Sequence, residues 1–124
     1  MARTEFRKIL KDMVEGVRGG YAGTIMEKDG ITVEDYVKEG FAFDIETLGV
    51  EYGKVLDEIR RASKVLNLGP VEEILISSGS NNIILRYATP DYFLVFALSG
   101  RTLLGRARHL LKKAARSAKE ELLK

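Results

Sequence analysis

The 124-residue sequence contains no cysteine, no tryptophan, no glutamine and a single histidine. The absence of cysteine excludes disulfides, thiolate metal sites and cysteine nucleophiles, and one histidine excludes a histidine-rich metal site. No apolar run approaches the roughly 20 residues that span a bilayer. The first residues are charged at once, which argues against a signal peptide. We therefore expect a cytoplasmic protein. The abundance of Lys, Arg and Glu indicates a thermophile-like composition.

The composition is that of a globular chain, with 45% hydrophobic and 31% charged residues, and the length suits one domain over residues 1–124. The net charge is only +2, so the chain as a whole shows no preference for nucleic acid. The charge is unevenly distributed, however. Residues 100–124 hold eight Lys or Arg and two acids, a net charge of +6, whereas residues 27–58 hold ten acids and three lysines, a net charge of −7.

Three segments repeat apolar residues at helical spacing. The first ends near Arg18 with Thr4 as its N-cap, the second runs from an Asp44 N-cap to about Leu66, and the third is capped by Ser99 and covers about 101–123. The predicted apolar stripe of the second helix consists of Ile45, Leu48, Tyr52, Val55, Leu56, Ile59, Ala62 and Leu66. That of the third consists of Leu103, Leu104, Ala107, Leu110, Leu111, Ala114, Ala118 and Leu122.

Five strands are predicted, over 21–28, 31–37, 71–78, 83–88 and 92–98. Asp29-Gly30 indicates a two-residue hairpin turn between the first two, and the side of the second strand that carries Tyr36 is predicted to be the wetter one. The last strand has no polar alternation, so it must be covered on both faces, and the sheet therefore needs helices on each side. The element order α-β-β-α-β-β-β-α defines an α+β fold.

The first hairpin (21–30), the long second helix and the hydrophobic last strand leading to a closing helix carry a family resemblance. With this element order, the chain resembles the Roadblock family of dynein-light-chain-like proteins, which includes bacterial and archaeal MglB-like members. The resemblance implies a five-stranded antiparallel, profilin-like sheet, with the second helix on one face and the terminal helices on the other. It also implies a homodimer whose partner is a Ras-like small GTPase. One departure is the pair Gly49 and Gly53, because family members usually carry an alanine-rich second helix.

No pattern in the sequence predicts catalysis, a cofactor or a metal. There is no P-loop, since the glycines at 100 and 105 lack the following Lys-Ser. His109 lies off the apolar stripe of its helix, so it is predicted to be an exposed surface residue. The adjacent acidic pairs at 34–35, 72–73 and 120–121 are predicted to be solvated. Neighbouring strand residues point to opposite faces, so the first two pairs cannot cooperate as acid and base.

The two helix glycines suggest a close contact, because each costs about 0.5–1 kcal/mol relative to alanine in a helix interior. The close neighbour is either a second copy of this helix or a partner protein. We predict an outward surface that binds the GTPase, and a Gly53→Arg change that keeps the fold and blocks the approach. The predicted partner-binding residues are Gly49, Val50, Gly53, Lys54, Asp57 and Arg61.

In the strand order that the family resemblance implies, the third strand is a sheet edge, and its apolar residues make it a poor edge to leave bare. Pairing with its copy would continue the sheet across a two-fold axis. The predicted dimer interface consists of Glu72, Ile74, Leu75, Ile76 and Ser78.

A second hypothesis concerns the basic last helix, which could make the protein a scaffold on anionic surfaces, either nucleic acid or membrane. Two features argue against it. The apolar stripe of this helix is rich in alanine, without bulky insertion residues, and no aromatic residue stands among the basic ones to stack a base. A solvated outer face on a packed helix explains the same charges.

Overall fold

The computed structural model describes residues 3–124, which form three helices and five strands. The helices are α1 (Arg3–Glu15), α2 (Ile45–Val65) and α3 (Leu104–Leu122). The strands are β1 (Gly20–Glu27), β2 (Thr32–Val37), β3 (Glu73–Ser77), β4 (Asn81–Thr89) and β5 (Tyr92–Ser99). They form one antiparallel sheet in the order β2-β1-β5-β4-β3, which confirms the predicted fold class and places β3 at an edge.

The sheet separates two hydrophobic cores, and its central strand β5 contributes to both. Phe93 through Leu98 are buried, with alternate residues on opposite faces, as the unbroken apolar run predicts. One core joins the sheet to α1 and α3 and includes Phe6, Leu10, Ile84, Phe96 and Leu111. The other joins it to α2 and includes Met26, Leu56, Leu85, Phe93 and Val95. We call these two sides the α1–α3 face and the α2 face.

The N-cap predicted at Asp44 is confirmed, whereas the N-caps predicted at Thr4 and Ser99 and the predicted end of α1 are not. Asp44 caps α2 by accepting a hydrogen bond from the Thr47 amide at 3.1 Å. Thr4, predicted as an N-cap, lies inside α1, and this helix ends at Glu15 rather than near Arg18. Ser99 does not cap α3, because it is the last residue of β5 and its Oγ accepts from the Arg101 amide in a turn.

The start of α3 is accordingly later than predicted. The turn closes when the Thr102 amide donates to the Ser99 carbonyl at 3.2 Å, and the helix begins at Leu104. Leu103, which the sequence analysis placed in the apolar stripe, precedes the helix and is 77% exposed.

The β1–β2 hairpin has a three-residue loop rather than the predicted two-residue turn. The Gly30 amide donates to the Glu27 carbonyl at 2.8 Å, and Gly30 has a φ of 93° whereas Asp29 is not left-handed. This is a type I turn followed by a left-handed glycine. A further register shift, between Ile25 and Met26 of β1, changes which face of the sheet the side chains of β2 point to. Tyr36, predicted on the wetter side, is therefore buried on the α1–α3 face.

A half-buried carboxylate lies on the α2 face where β2 meets the start of α2. Asp35 accepts a hydrogen bond from the buried Thr24 hydroxyl, with 2.5 Å between Oγ1 and Oδ1. Burial raises the pKa of Asp35, and the nearby carboxylates of Glu46, Glu34 and Asp44 raise it further, whereas the Thr24 hydrogen bond lowers it. Asp44 shows the opposite shift, because its hydrogen bonds from Thr47 lower its pKa.

These opposite shifts predict opposite pH dependences. The folded chain holds the Asp35 proton more tightly than the unfolded chain does, so Asp35 destabilises the fold as pH rises from its ordinary pKa of 3.8 through its raised value. We expect Asp35→Asn to raise the midpoint of thermal unfolding at pH 7, with a gain that vanishes below the ordinary pKa.

The matched control is Asp44→Asn, which removes the stabilising negative charge of the N-cap and keeps a side-chain oxygen that can accept from Thr47. The stabilisation by this charge is present above the ordinary pKa and disappears as pH falls through the lowered value. Calorimetry from pH 3 to pH 7 checks both variants, and a lower midpoint for Asp35→Asn at pH 7 would contradict the prediction.

Candidate protein-interaction surfaces

The two glycines of α2 face the sheet, not the outside. An added Cβ at Gly49 would lie 2.9 Å from Met26 Cε, and one at Gly53 would lie 2.8 Å from Phe93 Cζ. Both glycines are buried, which contradicts the predicted outward placement. They bring the α2 backbone close to β1 and β5, since no other residue leaves that much room. An arginine at position 53 would collide with buried Phe93, so the expectation that Gly53→Arg keeps the fold is also wrong.

The rotation of α2 that buries the glycines exposes part of the predicted apolar stripe. Val55 is 45% exposed, Ile59 37% and Leu66 65%, and Ala62 is also exposed. These four residues are spaced four, three and four apart, so they form one line along the helix. We call this line the α2 seam. Its spacing is that of the apolar seam through which two helices pack against each other.

The other predicted partner-binding residues divide into two groups. Lys54, Asp57 and Arg61 are exposed and, together with Gly53, line one open cleft of about 770 Å³ between α2 and the β1–β2 loop. Within this cleft Arg61 contacts Asp57 at 2.9 Å. Val50 was expected to be an exposed apolar anchor, but it is half-buried beside Gly30 of the loop.

The β3 edge presents unpaired backbone groups. The Tyr87 amide donates to the Glu72 carbonyl at 3.2 Å and the Ser78 amide to the Asn81 carbonyl at 2.9 Å. In an antiparallel pair, residues that are hydrogen-bonded to the neighbouring strand alternate with residues that are not. The backbone N–H and C=O groups of Glu73, Leu75 and Ser77 therefore point away from β4, towards the open edge.

The predicted interface residues lie along this edge on both faces. Ile74 and Ile76 are half-buried on the α2 face, next to the second core. Leu75 pairs with Ile84 and lies on the α1–α3 face, where it is 43% exposed. Glu72 and Ser78 flank the strand, which is shorter than predicted, and remain bonded to β4.

At the opposite edge, β2, side chains bond the outward backbone groups of Asp35. The Asp35 amide donates to Glu34 Oε1 at 3.0 Å, and the Asp35 carbonyl accepts from Arg7 Nη1 at 3.4 Å. Together with the register shift in this strand, these bonds blunt the edge in the way natural sheets avoid unwanted pairing. The two edges of the sheet are therefore not equivalent.

Glu73 is not the solvated acid that the sequence analysis predicted. Its side chain is only 9% exposed, and it accepts from Arg86 of β4 at 3.2 Å and from Arg108 of α3 at 2.6 Å. The contact ties the edge strand to the last helix. Its signal in the sequence was weak, because the two arginines are 13 and 35 residues away.

Among residues 3–124, no group of three or more His, Cys, Asp or Glu side chains could hold a metal ion. His109 is exposed on α3, as predicted. None of the helices described here is long and apolar enough to cross a membrane.

A five-stranded antiparallel sheet with one long helix on one face and the two terminal helices on the other is the architecture of a Roadblock-type domain, and comparisons with solved structures agree. MglC from Myxococcus xanthus is 34% identical, with a TM-score of 0.68 over 94% of this chain and 98% of that one. A Roadblock/LC7 domain from Streptomyces avermitilis is 12% identical, with a TM-score of 0.85 over 95% and 98%. Myxococcus xanthus MglB is 13% identical, with a TM-score of 0.86 over 97% and 89%. No family model matches the sequence, and no curated protein matches it. The chain belongs to the Roadblock/LC7 family.

The buried glycine contact predicts the cost of adding a single methyl group. Gly53→Ala places a Cβ against the rim of Phe93, which is itself buried, so we expect it to destabilise the fold by about 1–3 kcal/mol through overpacking. The control is Gly105→Ala in α3, where no atom lies within 4 Å of the added Cβ. We expect that change to stabilise by about 0.4–1 kcal/mol. Urea unfolding of both variants checks the prediction, and equal effects would contradict it.

Proposed function

We propose that this protein is a non-enzymatic, homodimeric regulator that binds a Ras-like small GTPase and modulates its nucleotide cycle or its localisation. The observation that carries the proposal is the open β3 edge, and the exposed α2 seam on the α2 face is a second feature that supports it. The β3 edge has unpaired backbone groups and the α2 seam has exposed apolar side chains, and a second copy of the chain would cover both. The GTPase partner comes from the family resemblance and is a matter of analogy.

The dimer follows from pairing β3 with its copy. If Leu75 lies opposite Leu75 of the second copy, all five residues of β3 pair, and Ile74 faces Ile76 across the two-fold axis. The two sheets then form one continuous sheet. The two α2 helices then lie on the same face of it, and the pairing covers the apolar side chains of β3.

The GTPase surface lies on the outer side of α2. The cleft that contains Lys54, Asp57 and Arg61 is open and charged, with both signs present, as interface rims commonly are. In the dimer two such clefts lie on one face. Gly49 and Gly53 act indirectly, because they set the distance between α2 and the sheet. The proposed action is exerted on the partner.

A proline in the open edge tests the dimer. Leu75→Pro removes an N–H that points away from β4, so the β3–β4 ladder stays intact while pairing with a second copy is lost. We expect the variant to be a folded monomer by light scattering at tens of micromolar, under conditions where the parent chain is a dimer.

The control is Ile76→Pro, which removes an N–H directed towards β4. This change should lower the unfolding midpoint of the protomer itself, by far more than Leu75→Pro does. A parent chain that is monomeric, or a Leu75→Pro variant that remains a dimer, would refute the β3 interface.

Charge reversal tests the GTPase surface. Lys54→Glu/Arg61→Glu changes two exposed residues of the cleft, and we expect at least tenfold weaker binding to purified Ras-like GTPases of the source organism. The charge-matched control, Lys11→Glu/Lys113→Glu, alters exposed residues of the opposite face. Binding is measured by calorimetry with GDP and with a non-hydrolysable GTP analogue. If none of these GTPases binds in either nucleotide state, or if both variants bind equally weakly, the proposed surface is wrong.

A further inference from the structure

The basic helix α3 has two different flanks. One flank packs against α1, and the cleft between them contains both charge signs, including Lys8, Asp12, Lys113 and Glu120. The other flank faces the β3 side of the sheet, and no helix among residues 3–124 covers it. We call this second side the open flank of α3. It consists of Arg108, Lys112, Arg116 and Lys119.

The charges of the open flank are largely uncompensated. A cleft of about 320 Å³ between α3 and β4 brings Lys112, Arg116 and Lys119 together with Arg86. Glu73 neutralises part of this charge by contacting Arg86 and Arg108. In the described part of the chain, no carboxylate forms an ion pair with Lys112, Arg116 or Lys119. The cleft therefore holds a concentrated positive charge beside a sheet edge.

The proposed dimer would place two open flanks opposite each other. Each α3 lies over β4 and partly over β5, and β4 is separated from its copy by three strand spacings of about 4.8 Å. The helix axes would then lie roughly 15–20 Å apart, which leaves a trough about 3–10 Å wide between helices that are about 10–12 Å in diameter. Its floor is the paired β3 strands, with the exposed Leu75 side chain of each copy.

We propose that this trough binds an acidic, extended polypeptide segment of a partner protein. The inference rests on the dimer of the proposed function. Carboxylates along the segment would pair with the lysines and arginines of both walls, and an apolar side chain between them would contact Leu75 on the floor. Because α3 has 19 residues and is about 28 Å long, roughly nine extended residues would fill the trough. The segment would bind on the face opposite the GTPase surface.

The shape and the chemistry of the trough favour a polypeptide over the other polyanions. A planar bilayer would touch the outer ridges of the helices and leave the inward-facing cations unused. A nucleic-acid duplex is wider than the gap. A single strand lacks a stacking platform, because α3 carries no aromatic residue and the Tyr87 ring lies on the α2 face beneath Arg60, 5.0 Å from its guanidinium carbon.

The test uses a fluorescein-labelled peptide of about nine residues, matched to the trough length, in which glutamates alternate with serines around a central leucine. Lys112→Glu/Lys119→Glu reverses two charges of the open flank, and Lys11→Glu/Lys113→Glu makes the same charge change on the same face outside the trough. By fluorescence anisotropy, we expect one peptide per parent dimer, binding weakened about tenfold or more in the first variant, and less than about threefold weakening in the second.

Parallel measurements separate the possible outcomes. Light scattering on every variant reports the dimer independently of the peptide, and a monomeric parent chain refutes both the dimer and the trough. A dimeric parent that does not bind the peptide, or whose two variants weaken equally, overturns the trough and leaves the dimer standing. Tighter binding of single-stranded DNA with the same charge, or of phosphatidylserine vesicles, also overturns it. Loss of peptide binding in monomeric Leu75→Pro, with a dimeric Lys112→Glu/Lys119→Glu variant, supports it.

Discussion

The close approach of α2 to the sheet is the constraint on which the α2 face depends. Gly49 and Gly53 leave room for Met26 and Phe93 at distances that no Cβ could occupy. The helix therefore lies low over β1 and β5, and its rotation about its own axis is set by these two contacts. That rotation decides which residues remain outside. The α2 seam from Val55 to Leu66 is exposed because Gly49 and Gly53, rather than Val55 and Ile59, lie nearest the sheet.

Much of the fold could be predicted from local patterns, because these patterns report burial directly. The unbroken apolar run of β5 required cover on both faces, and Asp44 marked the start of α2 through its capping chemistry. The rotation of α2 could not be found in this way. Glycine has no side chain to count as apolar, so the stripe built from hydrophobic residues included Ile45 and Leu56, which are buried, but extended too far round the helix, to Val55 and Ile59.

Contacts between distant parts of the chain were the other failure of sequence reasoning. Glu73 looks like a solvated strand residue until the fold brings Arg86 and Arg108 to it. The carboxylate of Glu73 pairs with both arginines, so it lowers the positive charge at this end of the open flank. The same two contacts hold β3 against β4 and α3. The strand at the edge and the basic helix above it are therefore connected by a single side chain, and the position of one depends on the position of the other.

The difference between the two sheet edges determines how large an assembly can grow. A chain with two open edges would add copies without limit and form a fibre. Here the amide and carbonyl of Asp35 are already satisfied by Glu34 and Arg7 at the β2 edge. A sheet joined through β3 would present a β2 edge at each end, and a strand added there would have to displace both bonds of Asp35. Growth along the sheet would therefore be disfavoured after the first addition.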